Sequence, residues 1–479
     1  MSFKNQSPEK IASLVHEKST EILLDTGFCV PDAAVLKRLE KCGFIVDYET
    51  QMVRITPGLL DTALTGIPRD VQLYDREGLH AAPYNQRSCF MGAGTPVNVL
   101  DLENGQRRPA TRQDVRQLVT LQDALPNIDI VRPTVTATDQ GENSDLVEIA
   151  ELLFHTRKPA VHRVLAPERV DAAFEMLAAV SGGAEKFRAR PNFATLYCPI
   201  SPGYFTPENV HCMLRWAEHG VPLTLLSMAM GGASAPVTLL GELVVINTDI
   251  LAWVVVMQLL YPGTPLLYGS VSAVLDMRTG LLALGAPERG MVNSGAAIMG
   301  SFYGIPSMCG GLSSDAKQLD AQAGAEKVIT ALPLIKEGAS IIYGAGATDA
   351  GSSISYTQMV LDNEIIGDLS RMIEGIELHD LDQEVEMIKA NTPKGNFLKE
   401  AHTRENYHQH WQPAIFSRDT YETWQDKNTS IEQQCRQQAR EILSNHESIR
   451  MPAPIEAELE RILRREVNPE FKLEEFVKV

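Results

Sequence analysis

Between residues 89 and about 351 the chain alternates short strand-like apolar runs with longer helical stretches. The runs are 89–94, 128–135, 160–165, 193–200, 222–228, 265–271, 305–309 and 340–343. The helical stretches between them are 111–125, 143–157, 167–180, 207–219, 236–260, 288–300 and 317–338. Eight strands alternating with helices over roughly 260 residues predict an α/β fold of the (β/α)8, or TIM, barrel type. A doubly wound open sheet is the structural rival. It would want a switch point and a phosphate loop, and neither is found: Gly92-Ala93-Gly94 and Gly344-Ala345-Gly346 lack a complete GxGxxG. They read as places where backbones approach closely.

On either side the pattern changes. Residues 7–24 predict a helix with Ile11, Leu14, Val15, Ile22 and Leu23 on one side. Residues 32–42 predict a second, ended by Gly43, followed by a hairpin over 44–56 and a strand over 71–74. From 357 onward the chain is mostly helical and charged, with helices at 432–443 and 455–466. The expected division is an N-terminal α+β segment (1–88), the barrel (89–356) and a helical C-terminal extension (357–479).

Composition narrows the function classes. The net charge of −18 on 479 residues makes nucleic acid and anionic membrane surfaces poor partners. Seven scattered cysteines with no CxxC, and an N-terminus without an apolar signal-like core, indicate a reducing, cytoplasmic compartment. The most apolar stretch, 236–261, contains Glu242, Asn247 and Asp249, and reads as a buried helix rather than a membrane span.

In such barrels the site forms at the C-terminal strand ends. Here those ends are small and weakly polar: 198–205, 227–232, 269–272, 310–315 and 344–348, rich in glycine. They suggest room for something large and flat. HExxH, GxSxG, GxxxxGK[ST] and CxxC are all missing, and the cluster His402, His408, His410 reads as structural or interfacial. Aromatic residues near the expected mouth are Phe90, Tyr197, Tyr204, Phe205, Tyr268, Tyr343 and Tyr356; each by itself is ordinary core, but a group can cage a quaternary ammonium. His162 could point into the barrel or sit in the core. Ser314-Asp315-Ala316-Lys317 could bring an acid and a cation to the seventh strand end, or simply cap a helix.

Gly92-Ala93-Gly94, Ser314-Asp315-Ala316-Lys317, Leu361-Asp362-Asn363-Glu364-Ile365 and a tail with His402-Thr403, Trp411, Pro413 and Arg418 occur in an order that resembles the trimethylamine methyltransferase family. The resemblance spans most of the chain. It implies a (β/α)8 barrel that hands a methyl group from a methylated amine to a corrinoid protein. Trimethylamine enzymes of the family carry pyrrolysine near the seventh strand end; this chain has the standard residues Leu312-Ser313-Ser314-Asp315 there. It therefore resembles the non-pyrrolysine branch, whose substrates are quaternary amines such as glycine betaine, proline betaine and carnitine.

The reading so obtained places a trimethylammonium cage at Tyr356, Phe205 and Tyr197, with Phe90 and His162 also toward the substrate. Asp315 is the candidate catalytic residue, and Gly311, Ser313 and Gly346 face the corrinoid. The corrinoid (cobalamin) comes from a cognate partner protein, since no DxHxxG occurs, and no protein-bound metal is expected. A homo-oligomer is expected. Two other functions stay open: a quaternary-amine binding protein without catalysis, and a (β/α)8 lyase or aldolase using Lys317 as a Schiff-base amine.

Overall fold

The computed structural model describes residues 7–446 and 449–471. Its centre is a curled sheet of seven parallel strands: β1 (Cys89–Gly92), β2 (Ala160–Val161), β3 (Phe193–Tyr197), β4 (Leu223–Ser227), β5 (Leu266–Ser270), β6 (Ser307–Gly310) and β7 (Ile341–Ala345). Their spatial order is β1-β7-β6-β5-β4-β3-β2, so sequence neighbours pair and the first strand lies against the last. The run expected at 128–135 forms no regular strand. It touches the two edge strands through single parallel bridges, Ile130 to Met91 and Val131 to Ala160. Pro133 lacks a donor, and Thr134 has a left-handed backbone (φ 57°), so the ladder cannot continue.

Every crossover carries helix. Pro167, Pro207 and Pro287 open theirs at the first helical position, where a missing N–H costs nothing. The Leu239–Leu260 helix is apolar all round because it is wrapped by the Pro8–Asp25, Pro57–Gly66 and Pro287–Tyr303 helices. It is long and apolar enough to cross a membrane, yet 78% of its most apolar window is buried.

Two separate cores follow from the curl. The outer one lies between strands and helices and holds Phe90, Tyr197, Tyr268, Cys309 and Ile342. The inner one fills the curl with the alternate residues Cys89, Met91, Val161, Ala194, Leu196, Leu226, Leu267, Met308 and Ile341. Val71, Leu73, Ala82 and Tyr84 join the inner core. They close the N-terminal end of the strands, where Tyr74 N donates to Pro191 O (2.8 Å) just before β3. The expected strand at 71–74 is therefore a plug, with one bridge between Tyr74 and Ala81.

The other N-terminal expectations appear as the Pro8–Asp25 and Ala33–Lys41 helices and an antiparallel Ile45–Asp47/Met52–Arg54 hairpin. In the tail, the Ile431–Asn445 helix packs on the Tyr356–Glu374 and Arg112–Ala124 helices, and Ala453–Glu466 packs on Pro167–Ser181. The segment before them leaves Ile376, Leu378 and Leu398 almost fully exposed.

Candidate active site

A cavity of about 380 Å³ sits at the C-terminal ends of the strands. Strand parity chooses its lining. Side chains that face the curl at the last residues of each run are Leu196 and Cys198 after β3, Leu226 and Met228 after β4, Val271 after β5, and Tyr343 on β7. Ser313 and Gly344 line the same cavity, so the sixth and seventh strand ends meet there. A larger hollow of about 790 Å³ lies outside, between the Ala321–Lys336 and Tyr356–Glu374 helices. It is an apolar groove away from the strand ends, and we place the site in the smaller cavity.

Three arginines enter that cavity: Arg132, Arg163 and Arg289. Arg132 stands on the broken strand segment. Gln122 replaces the missing ladder there: Arg132 N donates to Gln122 Oε1 (3.2 Å), and Gln122 Nε2 donates to Arg132 O (2.8 Å). A Cβ on Gly92 would lie 2.2 Å from Gln122 Oε1, so this clamp requires glycine. The Arg132 guanidinium lies over the Tyr343 ring, 5.1 Å from its centroid. Arg289, in the first turn of its helix, donates through Nη1 to Val271 O (2.9 Å). A Cβ on Gly310 would lie 2.4 Å from its Nη2.

Among the described residues no carboxylate pairs with any of the three, and the Nε atoms of Arg132 and Arg289 have no partner. Burial lowers the pKa of both, Arg289 to about 10; a guanidinium keeps its proton in proteins at neutral pH. Burial pushes the Cys198 thiol up to about 11, keeping it neutral. Among the described residues no Asp, Glu, His or Lys side chain lines the cavity.

The surrounding loops are held tightly. Asp249, inside the apolar helix, accepts from Ser201 Oγ (2.6 Å), Gly203 N (2.7 Å) and Ser227 Oγ (3.0 Å), fixing the β3 and β4 ends. Lys327 and Asp362 form an ion pair (2.7 Å) with both side chains at 0% exposure. Asp362 also accepts from Gly346 N (2.7 Å) and Gln358 Nε2 (2.8 Å), and Lys327 reaches Gly344 O (3.3 Å), which fixes the β7 end. Leu312, Asp349 and Ala350 have left-handed backbones (φ 47°, 54° and 50°). Such strain gathers where a site dictates the backbone.

Asp315 takes a hydrogen bond from Leu284 N (2.9 Å). It thereby holds the ribbon of Met230–Gly231, Ala273–Asp276 and Leu281–Leu282 whose Leu282 and Leu284 cover the cavity. Burial raises its pKa. The helix after it is capped by Asp320, not by Ser314 or Asp315; Ser314 Oγ donates to Glu326 (2.8 Å) instead.

The remaining candidates separate by parity. Ser313 lines the cavity, with Gly311 and Gly346 in the adjoining turns. Tyr197, Phe90 and His162 sit on the alternate strand positions and turn outward. Tyr197 donates to Val164 O (2.7 Å) and receives Trp216 Nε1 (3.0 Å). Phe90 lies in the outer core, and His162 Nε2 is 2.8 Å from Glu148. Phe205 packs on Trp253 (4.5 Å between centroids), and the Tyr356 hydroxyl donates to Asp114 (2.9 Å). None of these five is in the cavity wall; of the aromatic residues near the expected mouth, Tyr343 is.

Lys317, weighed as an amine nucleophile, is exposed and 3.5 Å from Asp349, not in a dry pocket. His162 and Cys309 face the helices while Cys198 faces the curl, so those three do not converge. Among the described residues no group of three or more His, Cys, Asp or Glu side chains could hold a metal ion. The arginines are what sequence reasoning missed, although an arginine inside an apolar run, as at 132 and 163, is a readable signal.

A parallel α/β curl with a lined cavity at its C-terminal strand ends is an enzyme architecture. The chain belongs to the trimethylamine methyltransferase (MTTB) family, which it matches over residues 2–468, and at that level it is a methyltransferase. It is 31% identical over 452 residues to trimethylamine methyltransferase MttB of Desulfitobacterium hafniense (strain DSM 10664 / DCB-2), covering 94% of this chain and 91% of that one. It is 27% identical over 457 residues to glycine betaine methyltransferase of D. hafniense (strain Y51), covering 94% of both. The fold resembles the crystal structure of Methanosarcina barkeri monomethylamine methyltransferase MtmB (TM-score 0.50, 14% identity, 92% and 94% coverage). With only standard residues, the chain falls with the non-pyrrolysine branch.

Proposed function

We propose that this chain moves a methyl group from a quaternary amine to the Co(I) of a corrinoid protein by in-line displacement. The observation that carries the reading is the cavity lining, which among the described residues offers cations, thiol, hydroxyl and apolar groups but no proton-transfer pair at neutral pH. A quaternary nitrogen leaves as a neutral tertiary amine and needs no proton, so the protein's task is to orient the donor and exclude water. The corrinoid, presented by a partner, is the co-substrate and supplies the nucleophile.

Two further observations support partners. Val97, Leu165, Ile200, Met228 and Leu281, each 44–60% exposed, stand near the strand ends and give an acceptor protein apolar contacts. In the helical extension, the exposed apolar residues Ile376, Leu378 and Leu398 fit burial in a homo-oligomer. We read the seven strands and the 130–131 bridges as a closed (β/α)8 barrel between an N-terminal segment and a helical extension. The free cysteines suit a cytoplasmic setting.

The test is a panel of methylated amines incubated with cob(I)alamin, following methylcobalamin by absorbance. Transfer from quaternary but not tertiary amines is expected. Tight binding of a quaternary amine with no transfer, to free cobalamin or to a corrinoid protein, would establish the non-catalytic binding reading instead.

A further inference from the structure

The charge inside the cavity says more about the substrate than its methylated end does. Arg132 is 3% exposed and Arg289 2%, and Arg163 shares their cavity. Arg289 spends one nitrogen on Val271 O, but its Nε and that of Arg132 have no acceptor. No carboxylate among the described residues forms an ion pair with any of the three, although Asp315 acts on Arg289 through its charge from outside the cavity wall. Cations buried without partners are held at a high cost in free energy unless an anion completes them. The many acidic groups on the outside do not substitute, because solvent and salt screen them.

A quaternary nitrogen would add a fourth positive charge. One carboxylate leaves three uncompensated; two negative charges halve the total. The guanidinium fork matches the paired oxygens of carboxylate or phosphate. We propose that the end of the substrate away from its methylated nitrogen is dianionic, a pair of carboxylates or a phosphate monoester, held by Arg132, Arg163 and Arg289. The nitrogen end rests on the methyl-transfer reading; the anion site stands on the arginines alone.

The test has a binding arm and a turnover arm. Calorimetry on the full chain compares malonate, succinate and inorganic phosphate with acetate. Dianions are expected to bind at least tenfold more tightly than acetate, and Arg132→Gln and Arg163→Gln to abolish that preference. Arg163 is less buried than the other two, so its variant keeps the test open if Arg132→Gln misfolds, and Arg163→Lys should restore part of the binding. Equal binding of acetate, no binding of any anion, or unchanged binding in Arg163→Gln would overturn the site. A preference for phosphate over the dicarboxylates, or the reverse, identifies the source of the charge.

In the turnover arm, choline, glycine betaine, N,N,N-trimethylaspartate and phosphocholine are offered with a reduced corrinoid acceptor. One of the two dianionic donors should exceed glycine betaine at least tenfold in kcat/KM; glycine betaine as the best donor would overturn the dianion. Arginine-dependent dianion binding with no transfer from any donor would refute the methyl-transfer function while supporting the anion site.

Discussion

The Lys327–Asp362 pair offers a demanding test of how the cavity wall is held. Both side chains are fully buried and 2.7 Å apart, and through Gly346 N and Gly344 O they fix the turn after β7. Lys327→Met leaves a carboxylate in a dry interior, and Asp362→Asn leaves an ammonium. Breaking a buried pair from one side costs about 3–5 kcal/mol. The double variant leaves no charge, and the amide oxygen introduced by Asp362→Asn can still accept from Gly346 N. It should recover much of the loss, with a coupling of roughly 2 kcal/mol or more. If the 479 residues unfold together at about 2 cal/mol/K per residue, the entropy is about 1 kcal/mol/K, so each single variant should melt roughly 3–5 °C lower. Thermal melting of the four forms, with donor KM measured on each, is the assay. A double variant whose loss equals the sum of the singles would refute the claim that each partner stabilises chiefly the other.

Gly310→Ala should push Arg289 from its seat, because the new methyl would sit 2.4 Å from Nη2; donor KM should rise tenfold or more while melting falls by what about 1–3 kcal/mol gives. Glu242 is buried with neither oxygen partnered, and burial raises its pKa to about 7. The native state then keeps a proton that the unfolded chain releases near 4.5, so stability is greatest below 4.5 and falls as pH rises to about 7, by on the order of 3 kcal/mol; Glu242→Gln should flatten that slope in melts taken from pH 4.5 to 8. Tyr356→Phe removes a hydroxyl bonded to Asp114 and should lower stability by about 1–2 kcal/mol without changing donor KM; a raised KM would return Tyr356 to the substrate. Methyl transfer should survive removal of transition metals by a strong chelator, checked by elemental analysis; loss that zinc alone restores would require a Lewis-acid mechanism instead.

Much of the α/β rhythm was legible, because apolar runs and the helices between them differ in period. Face was not. Strands covered on both sides carry no polar alternation, so nothing distinguished Tyr197, which turns to the helices, from Cys198, which turns to the cavity. Large aromatics drew attention to the outer core for that reason. The run at 128–135 looked like its neighbours, yet Pro133 and the left-handed Thr134 reduce it to two bridges and leave Arg132 where a ladder would have ended. Arg289 lies in a helix far along the chain from Arg132 and Arg163. Only the closing of β1 against β7 and the curl between them bring the three together.

The plug of Val71, Leu73, Ala82 and Tyr84 has a kinetic consequence. With that end of the curl filled, traffic to the cavity comes from the strands' C-terminal side. If a corrinoid protein docks there, donor, spent amine and acceptor share one doorway. The donor must be seated before the acceptor arrives, and the amine must wait for the acceptor to leave. Turnover would then run as an ordered queue in which surplus acceptor slows the reaction by shutting the door on an empty room. A packing detail far from the reacting atoms would thus set the sequence of events and the shape of the rate law.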